Sequence, residues 1–488
     1  MFYEYTKISI NIIKYGIIKG FYYINRFASY AYNNTYIPRP YDISIPYDFD
    51  FSTLFVFLVI LSISTFAYIK LKYPFWNIQP VFHTYDYWRY LYQTPFIIRN
   101  DIPMVTKYCN FSNIKTYDYL EVSQETRNEF IDFLRCHYIP TDRILYTMTD
   151  QIMNAYMTGN TEAAYISRGT VGFCFAYPND HLPLTATNFQ IQSINSYQEK
   201  REGVVGGTVG SPTGVITSRP FQIYYNILGS TNSYTKLTAY YIDNICTSRH
   251  SKNAHTSRNL LQTHEFNQRL RSSHIKVSLL KKEIHLCRGI VPLVKYNTYT
   301  FRLNPQNHRG IPKFPPHTHI VHIVKTNLSI LQDFLVNITS LSTAFTFCGI
   351  SDPGVLANLI AINQLYVFCL KVGKDIHGFY FFKNANCQYE DYATNNQDCD
   401  SLHFIASFCN TQSPPLFFLG FLHSIKAILK LKKTFRILLF DDLSHNKMLI
   451  ESWMKTNPVV ADHECAYYLY NMVFPRTPLK QEKCLFLL

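Results

Sequence analysis

One segment departs from the alternation of short apolar runs and polar turns that fills most of the chain. Residues Thr53–Ile69 form an apolar run without a charged residue, and Lys70 and Lys72 follow it. As a helix, this run spans about 26 Å at about 1.5 Å per residue, slightly less than a bilayer core of about 30 Å. Because the run has no polar face, a transmembrane helix over residues 53–71 is favoured, with a buried core helix as the alternative.

The charges around this run predict its orientation. The two lysines place the following chain on the cytoplasmic side by the positive-inside rule. Residues 1–52 hold several basic residues and no early apolar core, which is not typical of a signal peptide. We therefore expect a membrane-proximal N-terminal segment and a single-pass membrane protein whose main domain faces the cytoplasm.

Helical and strand-like runs alternate after residue 72, as is typical of an α/β fold. The runs 221–229 and 236–245 are rich in β-branched and aromatic residues and predict strands. Residues 255–272 follow with the apolar spacing of an amphipathic helix. The polar stretch Asn384–Ser401 predicts a surface loop between two strands.

A proline-rich segment near residue 312 indicates a boundary between two parts of the chain. We interpret residues 73–310 and residues 311–488 as two α/β units of similar build.

Composition narrows the range of partners. Hydrophobic residues make up 47% of the chain and charged residues 16%, which excludes a disordered protein. The formal net charge of +13 favours acidic partners such as anionic lipid or coenzyme A. Nucleic acid is disfavoured, because the chain has no long basic run and no zinc-finger spacing.

Cysteine and histidine spacing predicts neither a disulfide framework nor a metal site. The twelve cysteines are scattered without a CxxC motif, which is typical of reduced thiols facing the cytosol. His317, His319 and His322 are close in sequence but would divide between the two faces of a strand. We therefore predict no metal ligands.

The chain ends on the apolar run CLFLL, Cys484–Leu488. Chain ends are commonly poorly ordered, whereas this one would be buried together with its terminal carboxylate. The simplest interpretation is a small C-terminal strand that completes a core. The alternative is a terminal carboxylate with a chemical role.

The ending is one of several motifs that occur in a recognisable order. They are PFWNIQPV, HYIPTDRILY, YIDNICTS, GIVPLVKYNTYTFRLNP, SFCNTQSPP, LLFDDLSHN, YYLYNMVFP and CLFLL. From Phe75 to Leu488 this series resembles the N-myristoyltransferase family, in which the first motif reads KFWxTQPV and the chain also ends in an apolar run. The match is diverged, and its most specific elements are the FWxxQPV pattern, YYLYN and the ending.

The resemblance implies both a fold and an activity. The fold is α/β (α+β): two tandem acetyltransferase-like domains forming a pseudo-dimer, here preceded by one transmembrane helix. Residues 73–310 would bind acyl-CoA, and residues 311–488 would bind the peptide and supply the catalytic C-terminus. The activity is transfer of myristate from myristoyl-CoA, a donor substrate and not a permanent cofactor, to an N-terminal glycine of a peptide or protein. We expect a monomer.

The chemistry requires a base and an oxyanion site. A glycine ammonium with a pKa of about 7.7–8 must lose a proton, and the developing oxyanion needs fixed donors. The resemblance assigns the base to the terminal carboxylate of Leu488, which partial desolvation makes more basic. It assigns the donors to the backbone N–H groups of Ile245 and Cys246, beside a turn shaped by Asn244. An ordinary turn role for Asn244 stays open.

The resemblance also implies the residues that bind the donor. Three of these residues belong to the FWxxQPV motif, and for them packing just after the membrane segment is the alternative. The other residues lie where the family has its phosphate loop, RSKRxAP; they depart from that pattern but keep positive charge and hydrogen-bond donors. The donor-binding residues would be Phe75, Trp76, Gln79, Lys252, His255, Thr256, Ser257 and Arg258.

The peptide site shows a further departure from the family. The family's acidic triplet is reduced to Asp142, and Phe301 stands where the family has a histidine, so we expect a different peptide preference. The residues that match the family's peptide-binding stretches are Tyr138, Ile139, Asp142, Leu145, Tyr299 and Asn410.

Two other functions stay open at this point. The first is a catalytically inactive membrane protein of the same fold that binds acyl-CoA or an acylated peptide, which the altered phosphate loop favours. The second is an amine acetyltransferase that uses a short acyl-CoA.

Overall fold

The structure is a computed structural model. It describes residues 51–92, 94–139, 141, 143–159, 169–175, 212–226, 234–249, 255–304, 310–340, 344–389 and 399–488. The predicted membrane-proximal segment lies outside these residues, except for its last two.

The described helices are numbered in chain order: α1 Phe51–Lys72, α2 Gln124–His137, α3 Asp150–Thr158, α4 Thr256–Arg271, α5 Ser329–Ser340, α6 Pro353–Ala361, α7 Pro414–Leu431 and α8 Lys447–Met454. The strands are β1 Phe96–Ile97, β2 Ile114–Asp118, β3 Ile144–Tyr146, β4 Thr170–Phe175, β5 Pro212–Tyr225, β6 Thr235–Thr247, β7 Ser278–Glu283, β8 Val294–Arg302, β9 Thr318–Ile323, β10 Phe347–Ile350, β11 Leu365–Val372, β12 Asp375–Tyr389, β13 Cys399–Cys409, β14 Phe435–Asp441, β15 Val459–Tyr470, β16 Met472–Val473 and β17 Cys484–Leu487.

In the part of the chain that the structure describes, α1 and α7 are long and apolar enough to cross a membrane. None of the residues from Phe55 to Lys72 is buried. Helix α7 differs, because Phe417, Phe421 and Ile425 on it are fully buried in a hydrophobic cluster, as in the core helix of a globular domain. The predicted helix over residues 53–71 is confirmed as a helix, and its insertion into a membrane stays a prediction.

The chain separates by compactness into residues 1–71 and residues 72–488. In the second unit, fifteen described strands form one mixed sheet. Twelve of them follow the order β17-β10-β5-β6-β7-β15-β8-β14-β13-β12-β11-β9. In addition, β4 pairs with β5, β2 pairs with β4, and β3 pairs with β12. Strands from both halves of the sequence interleave, since β15 lies between β7 and β8. The division near residue 310 stays a prediction.

The prediction of a loop over Asn384–Ser401 is wrong at both ends, because both ends belong to strands. Strand β12 continues to Tyr389 and β13 begins at Cys399. The polar residues there are buried but hydrogen-bonded. Ser401 Oγ, for example, donates to the Cys387 carbonyl at 2.8 Å, which offsets the cost of burying a hydroxyl.

Helix α4 is confirmed where the sequence predicts it, but its polar side is not a solvent-facing side. Seven polar residues on it are buried, from Gln262 to Arg269. His264 lies between the hydroxyls of Thr116 on β2 and Ser218 on β5, at 3.2 and 2.8 Å. Strands β2, β4 and β5 therefore pack against the side of α4 that the sequence pattern assigns to water.

Glu265 on this buried side predicts a pH dependence of stability. Burial raises the pKa of its carboxyl to about 7, although the Ser278 hydroxyl and Arg269 act in the opposite direction. The unfolded chain loses this proton near pH 4.5. Between these two values the folded state binds more protons, so stability falls as pH rises. We expect Glu265→Gln to raise the free energy of unfolding by about 2–3 kcal/mol more at pH 8 than at pH 5.

Urea unfolding of the full-length protein in detergent, at both pH values, measures this difference. Burial lowers the pKa of His264 to about 3, which gives an effect of opposite sign, but His264 is present in both proteins and cancels. Glu464→Gln is the matched control, because this carboxylate is half-exposed and lies 3.9 Å from Lys295. An equal effect of Glu265→Gln at pH 5 and pH 8 would contradict a raised pKa.

Candidate functional site

The chain end is built into the sheet. Strand β17 pairs in parallel with β10, which pairs antiparallel with β5, so that Leu487, Ile350 and Gln222 lie in register. The Ser351 N–H donates to the Leu487 carbonyl at 2.8 Å. Leu488 is half-buried against a hydrophobic cluster that includes Phe486. The C-terminal strand predicted from CLFLL is therefore confirmed, while the role of the Leu488 carboxylate stays a prediction.

Strand β6 carries a bulge at Asn244. Asp243 lies opposite Thr217 and Cys246 opposite Val215, so β6 has one more residue than β5 in this interval. Asn244 has a φ of 49°, in the left-handed region that asparagine tolerates better than most residues. Its side-chain N–H donates to the Thr217 hydroxyl at 3.0 Å. Asn244 therefore shapes a bulge within the strand, and its part in an oxyanion site stays a prediction.

The bulge distinguishes the two predicted backbone donors. Ile245 has no paired residue on β5 in the described strands, and its side chain is exposed. Cys246 is paired with Val215, and its side chain is buried. Because a bulge leaves its extra residue outside the regular ladder, the Ile245 N–H is the better suited of the two to bind a substrate oxygen.

An ion pair that the sequence did not predict lies beside the bulge. Arg219 Nη1 donates to Asp243 Oδ2 at 3.1 Å, and the Asn244 N–H donates to Asp243 Oδ1 at 2.9 Å. The Arg219 side chain is only 4% exposed, between the rings of Tyr156 and Tyr241, whereas 26% of the Asp243 side chain reaches solvent. The pair therefore presents a fixed carboxylate at an open surface.

The charge of Asp243 is maintained by its neighbours. Burial acts to raise the pKa of this carboxyl, but Arg219, Lys383 and the Asn244 N–H outweigh burial and lower it. The only sequence signal for the site was a single acidic residue near the end of an apolar strand, and an ion pair between strands cannot be deduced from that.

A second group of charged residues that the sequence missed includes residues of β7, β13 and β14. Lys281 Nζ lies 2.6 Å from Glu283 Oε1, and His403 Nε2 lies 2.9 Å from Asp441 Oδ1. The Thr298 hydroxyl donates to the same Asp441 oxygen at 2.6 Å. Burial acts to raise the pKa of Asp441, but His403 and Lys281 lower it. Lys281 and Glu283 are therefore partners of each other, and Asp441 is held by His403 and Thr298.

Part of the predicted peptide stretch meets β6. The Tyr138 ring lies 4.7 Å from the Tyr146 ring, and Tyr138 is 36% exposed. The Ile139 carbonyl accepts a hydrogen bond from Arg249, just after β6. Leu145 on β3 is exposed.

The remaining peptide-site predictions are spread over other strands. Tyr299 is on β8 and packs against the cluster that contains α7. Asn410 is exposed just after β13, and its N–H donates to the His377 carbonyl at 2.9 Å. Phe301 is fully buried, so its side chain is not available to a peptide. Asp142 lies outside the described residues.

The predicted donor-binding residues at the start of the second unit are partly core residues. Phe75 is buried and packs edge-on against Trp76 and Tyr108, with ring centroids 4.9 and 5.1 Å away. Gln79 is also buried, and its Oε1 accepts a hydrogen bond from the Tyr470 hydroxyl at 2.7 Å. The packing interpretation of this motif therefore accounts for its two buried side chains.

The start of α4 offers hydrogen-bond donors beside an opening in the sheet. Strands β6 and β7 pair only over three residues, Tyr240–Ile242 against Ser278–Leu280, although β6 continues to Thr247. Helix α4 begins at Thr256, and the first turn of a helix has free backbone N–H groups. His255 and Ser257 are exposed, Thr256 and Arg258 are half-buried, and Lys252 lies outside the described residues.

The chain is similar in fold to solved N-myristoyltransferase structures. No protein-family model matches the chain, and no curated protein matches it. Saccharomyces cerevisiae N-myristoyltransferase with bound myristoyl-CoA is 11% identical, with a TM-score of 0.57 over 84% of this chain and 90% of that one. The same enzyme with myristoyl-CoA and inhibitors is 10% identical, with a TM-score of 0.58 over 86% and 96%. The chain therefore has an N-myristoyltransferase-like mixed α/β fold, and the pseudo-dimer stays a prediction.

Proposed function

We propose that the protein is a membrane-anchored N-acyltransferase that transfers myristate from myristoyl-CoA to the N-terminal glycine of a peptide or protein. The observation that carries the proposal is the combination of two features in one sheet. Strand β17 holds the chain end at Leu488, and β6 carries a left-handed bulge at Asn244. An acyl transfer needs a base and fixed oxyanion donors, and the proposal assigns these roles to the Leu488 carboxylate and to the backbone at the bulge.

In this proposal the Leu488 carboxylate accepts a proton from the glycine ammonium. The free amine attacks the thioester carbonyl carbon, and its oxygen receives hydrogen bonds from the Ile245 and Cys246 N–H groups. The new C–N bond forms as the C–S bond breaks, and coenzyme A leaves as a thiolate that takes up the second proton released by the attacking nitrogen, which gives the thiol and a neutral amide. No metal or permanent cofactor takes part in these steps.

The donor and the acceptor occupy different sides of β6 in the proposal. The phosphates of coenzyme A bind at the start of α4, where the helix dipole and free N–H groups favour an anion. Thr256, Ser257 and Arg258 are available there. The acceptor approaches past Tyr138 and Ile139, toward the carboxylate of Asp243, which is partly buried but attracts a cationic N-terminus.

The test is acyl transfer by the purified full-length protein in detergent. Coenzyme A is quantified by chromatography, because the twelve cysteines of the chain would react with a thiol dye. We expect release with myristoyl-CoA and a Gly-starting octapeptide, and no release when that glycine is alanine. Faster release with acetyl-CoA than with myristoyl-CoA would select the shorter acyl group. Binding of acyl-CoA without release would identify a catalytically inactive binding protein.

We further propose that α1 crosses a membrane once and that residues 72–488 face the cytoplasm. The exposed apolar surface of α1 and the lysines at its C-terminal end support this arrangement. In flotation with phosphatidylcholine vesicles, we expect the reconstituted protein to stay with the lipid after washing at pH 11. We expect Ile60→Asp with Ile63→Asp to move most of it to the soluble fraction, whereas retention of this double variant would contradict a spanning helix.

A further inference from the structure

An aromatic surface is exposed shortly after α1. Residues Tyr87–Leu91 form a 3-10 helix, from which Tyr87, Trp88 and Leu91 project with 76%, 80% and 72% of their surfaces exposed. Tyr92 is also exposed. Tryptophan is on average a highly buried residue, and clustered exposed apolar side chains mark an interaction surface. We call Tyr87, Trp88, Leu91 and Tyr92 the aromatic ledge.

The turn that carries the ledge is held rigidly. Arg89 Nη1 donates to the Val81 carbonyl at 2.8 Å and lies 3.2 Å from Asp86 Oδ2, which also contacts His83 Nδ1 at 2.9 Å. The Tyr90 ring packs 4.7 Å from Phe82. These contacts attach the turn to the protein through Arg89 and Tyr90, and the side chains of Tyr87, Trp88 and Leu91 stay exposed.

The ledge lies close to the point where α1 ends. Tyr73 follows Lys72, the last residue of α1, and its ring stacks on Tyr85 with centroids 6.4 Å apart. Tyr85 also stacks on His83 at 4.8 Å. A spanning helix must leave the bilayer near its last apolar residue. The ledge begins two residues after Tyr85. The contact between Tyr73 and Tyr85 therefore holds the ledge near the point where the chain would leave the bilayer.

A second exposed apolar run follows about ten residues after the ledge in the chain. Ile102, Met104 and Val105 are exposed, and Met104 lines a cleft together with Ile78 and Pro80. Between residues 70 and 107 the chain has five basic residues and two acidic ones. This charge balance suits a surface of anionic lipid.

We propose that the aromatic ledge docks into the headgroup region of the phospholipid bilayer that α1 crosses. Tyrosine and tryptophan are enriched at this depth because their rings are apolar and their polar groups stay hydrated. The proposal rests on the membrane insertion of α1 and does not depend on acyl transfer. Two contacts, α1 and the ledge, would fix the orientation of the folded domain on the membrane surface, whereas α1 alone would act as a tether.

The test uses the tryptophan emission of the full-length protein in vesicles of phosphatidylcholine and phosphatidylglycerol. The chain has three tryptophans, of which Trp76 is half-buried and Trp453 is buried. The emission of wild type minus that of Trp88→Phe therefore reports Trp88. We expect lipids brominated near the headgroup end of the acyl chain to reduce this difference emission at least twofold.

The matched control moves the tryptophan to another exposed position. Val336 on α5 is 62% exposed, and in the Trp88→Phe background we expect Val336→Trp emission to be unaffected by bromine. If the protein floats with vesicles but the Trp88 emission is not quenched, α1 anchors the chain and the ledge proposal is wrong. If the protein does not float, both the anchor and the ledge are wrong, whatever its acyltransfer activity.

Discussion

Adding one glycine after Leu488 is expected to reduce peptide-dependent release of coenzyme A by at least about 10²-fold, the lower end of what a positioned base contributes. The addition converts the Leu488 carboxylate into an amide, which has no basic oxygen, and moves the new carboxylate by about one residue, roughly 3.4 Å. Acyl-CoA affinity is expected to stay within about twofold, because the proposed donor site on α4 is formed by residues far along the chain from β17.

The matched control is Leu488→Ile, which changes the side chain and keeps the carboxylate in place. It is expected to retain most of the rate. The unfolding temperatures of the wild type, the extended protein and Leu488→Ile are compared to establish that β17 remains paired. Loss of this pairing would lower the unfolding temperature, because Leu485 and Leu487 are buried in the hydrophobic core. If the extended protein and the wild type release coenzyme A equally fast, Leu488 is not the base.

The sequence predicted individual elements well, because local patterns determine them. The apolar run of α1, the last five residues of β5, strand β6, helix α4 and the C-terminal strand all follow from periodicity or composition, whereas residues 212–220 of β5 were not predicted as a strand. The sheet order does not follow from local patterns. Strand β17 pairs with β10, more than a hundred residues earlier in the chain, and β10 pairs with β5. Such pairings depend on tertiary packing.

Burial accounts for the features that the sequence did not predict. The side of α4 that carries His264 and Glu265 has the composition of a solvent-facing side, yet β2, β4 and β5 pack against it. Hydroxyl groups on β2 and β5 hydrogen-bond to His264, and the Ser278 hydroxyl on β7 donates to Glu265. Arg219 and Asp243 come from different strands, and only the register between β5 and β6 brings them together. Phe301 was placed at the peptide site by motif alignment alone, and the alternation of side chains along β8 buries it.

The second large effect is expected at the bulge. Asn244→Ala should lower the turnover number about 10²-fold, because it changes the orientation of the Ile245 N–H. A left-handed conformation costs alanine about 1–2 kcal/mol, and the Thr217 hydroxyl loses the donor that contacts it at 3.0 Å. Removal of one oxyanion donor typically costs about 10²–10³ in rate, so relaxation of the bulge accounts for a loss of this size.

Two further variants separate the backbone from the side chain. Asn244→Gly keeps a φ of 49° without strain and loses only the bond to Thr217, so a loss of about tenfold is expected, corresponding to about 1.4 kcal/mol. Thr217→Val removes the same bond from the β5 side together with the bond that the Thr217 hydroxyl donates to the Asp243 carbonyl at 3.1 Å, so its loss should be at least as large as that of Asn244→Gly. The turnover number is measured at saturating donor and peptide, alongside acyl-CoA affinity. If glycine is as damaging as alanine, the Asn244 side chain carries the effect; if neither variant loses activity, the oxyanion is bound elsewhere.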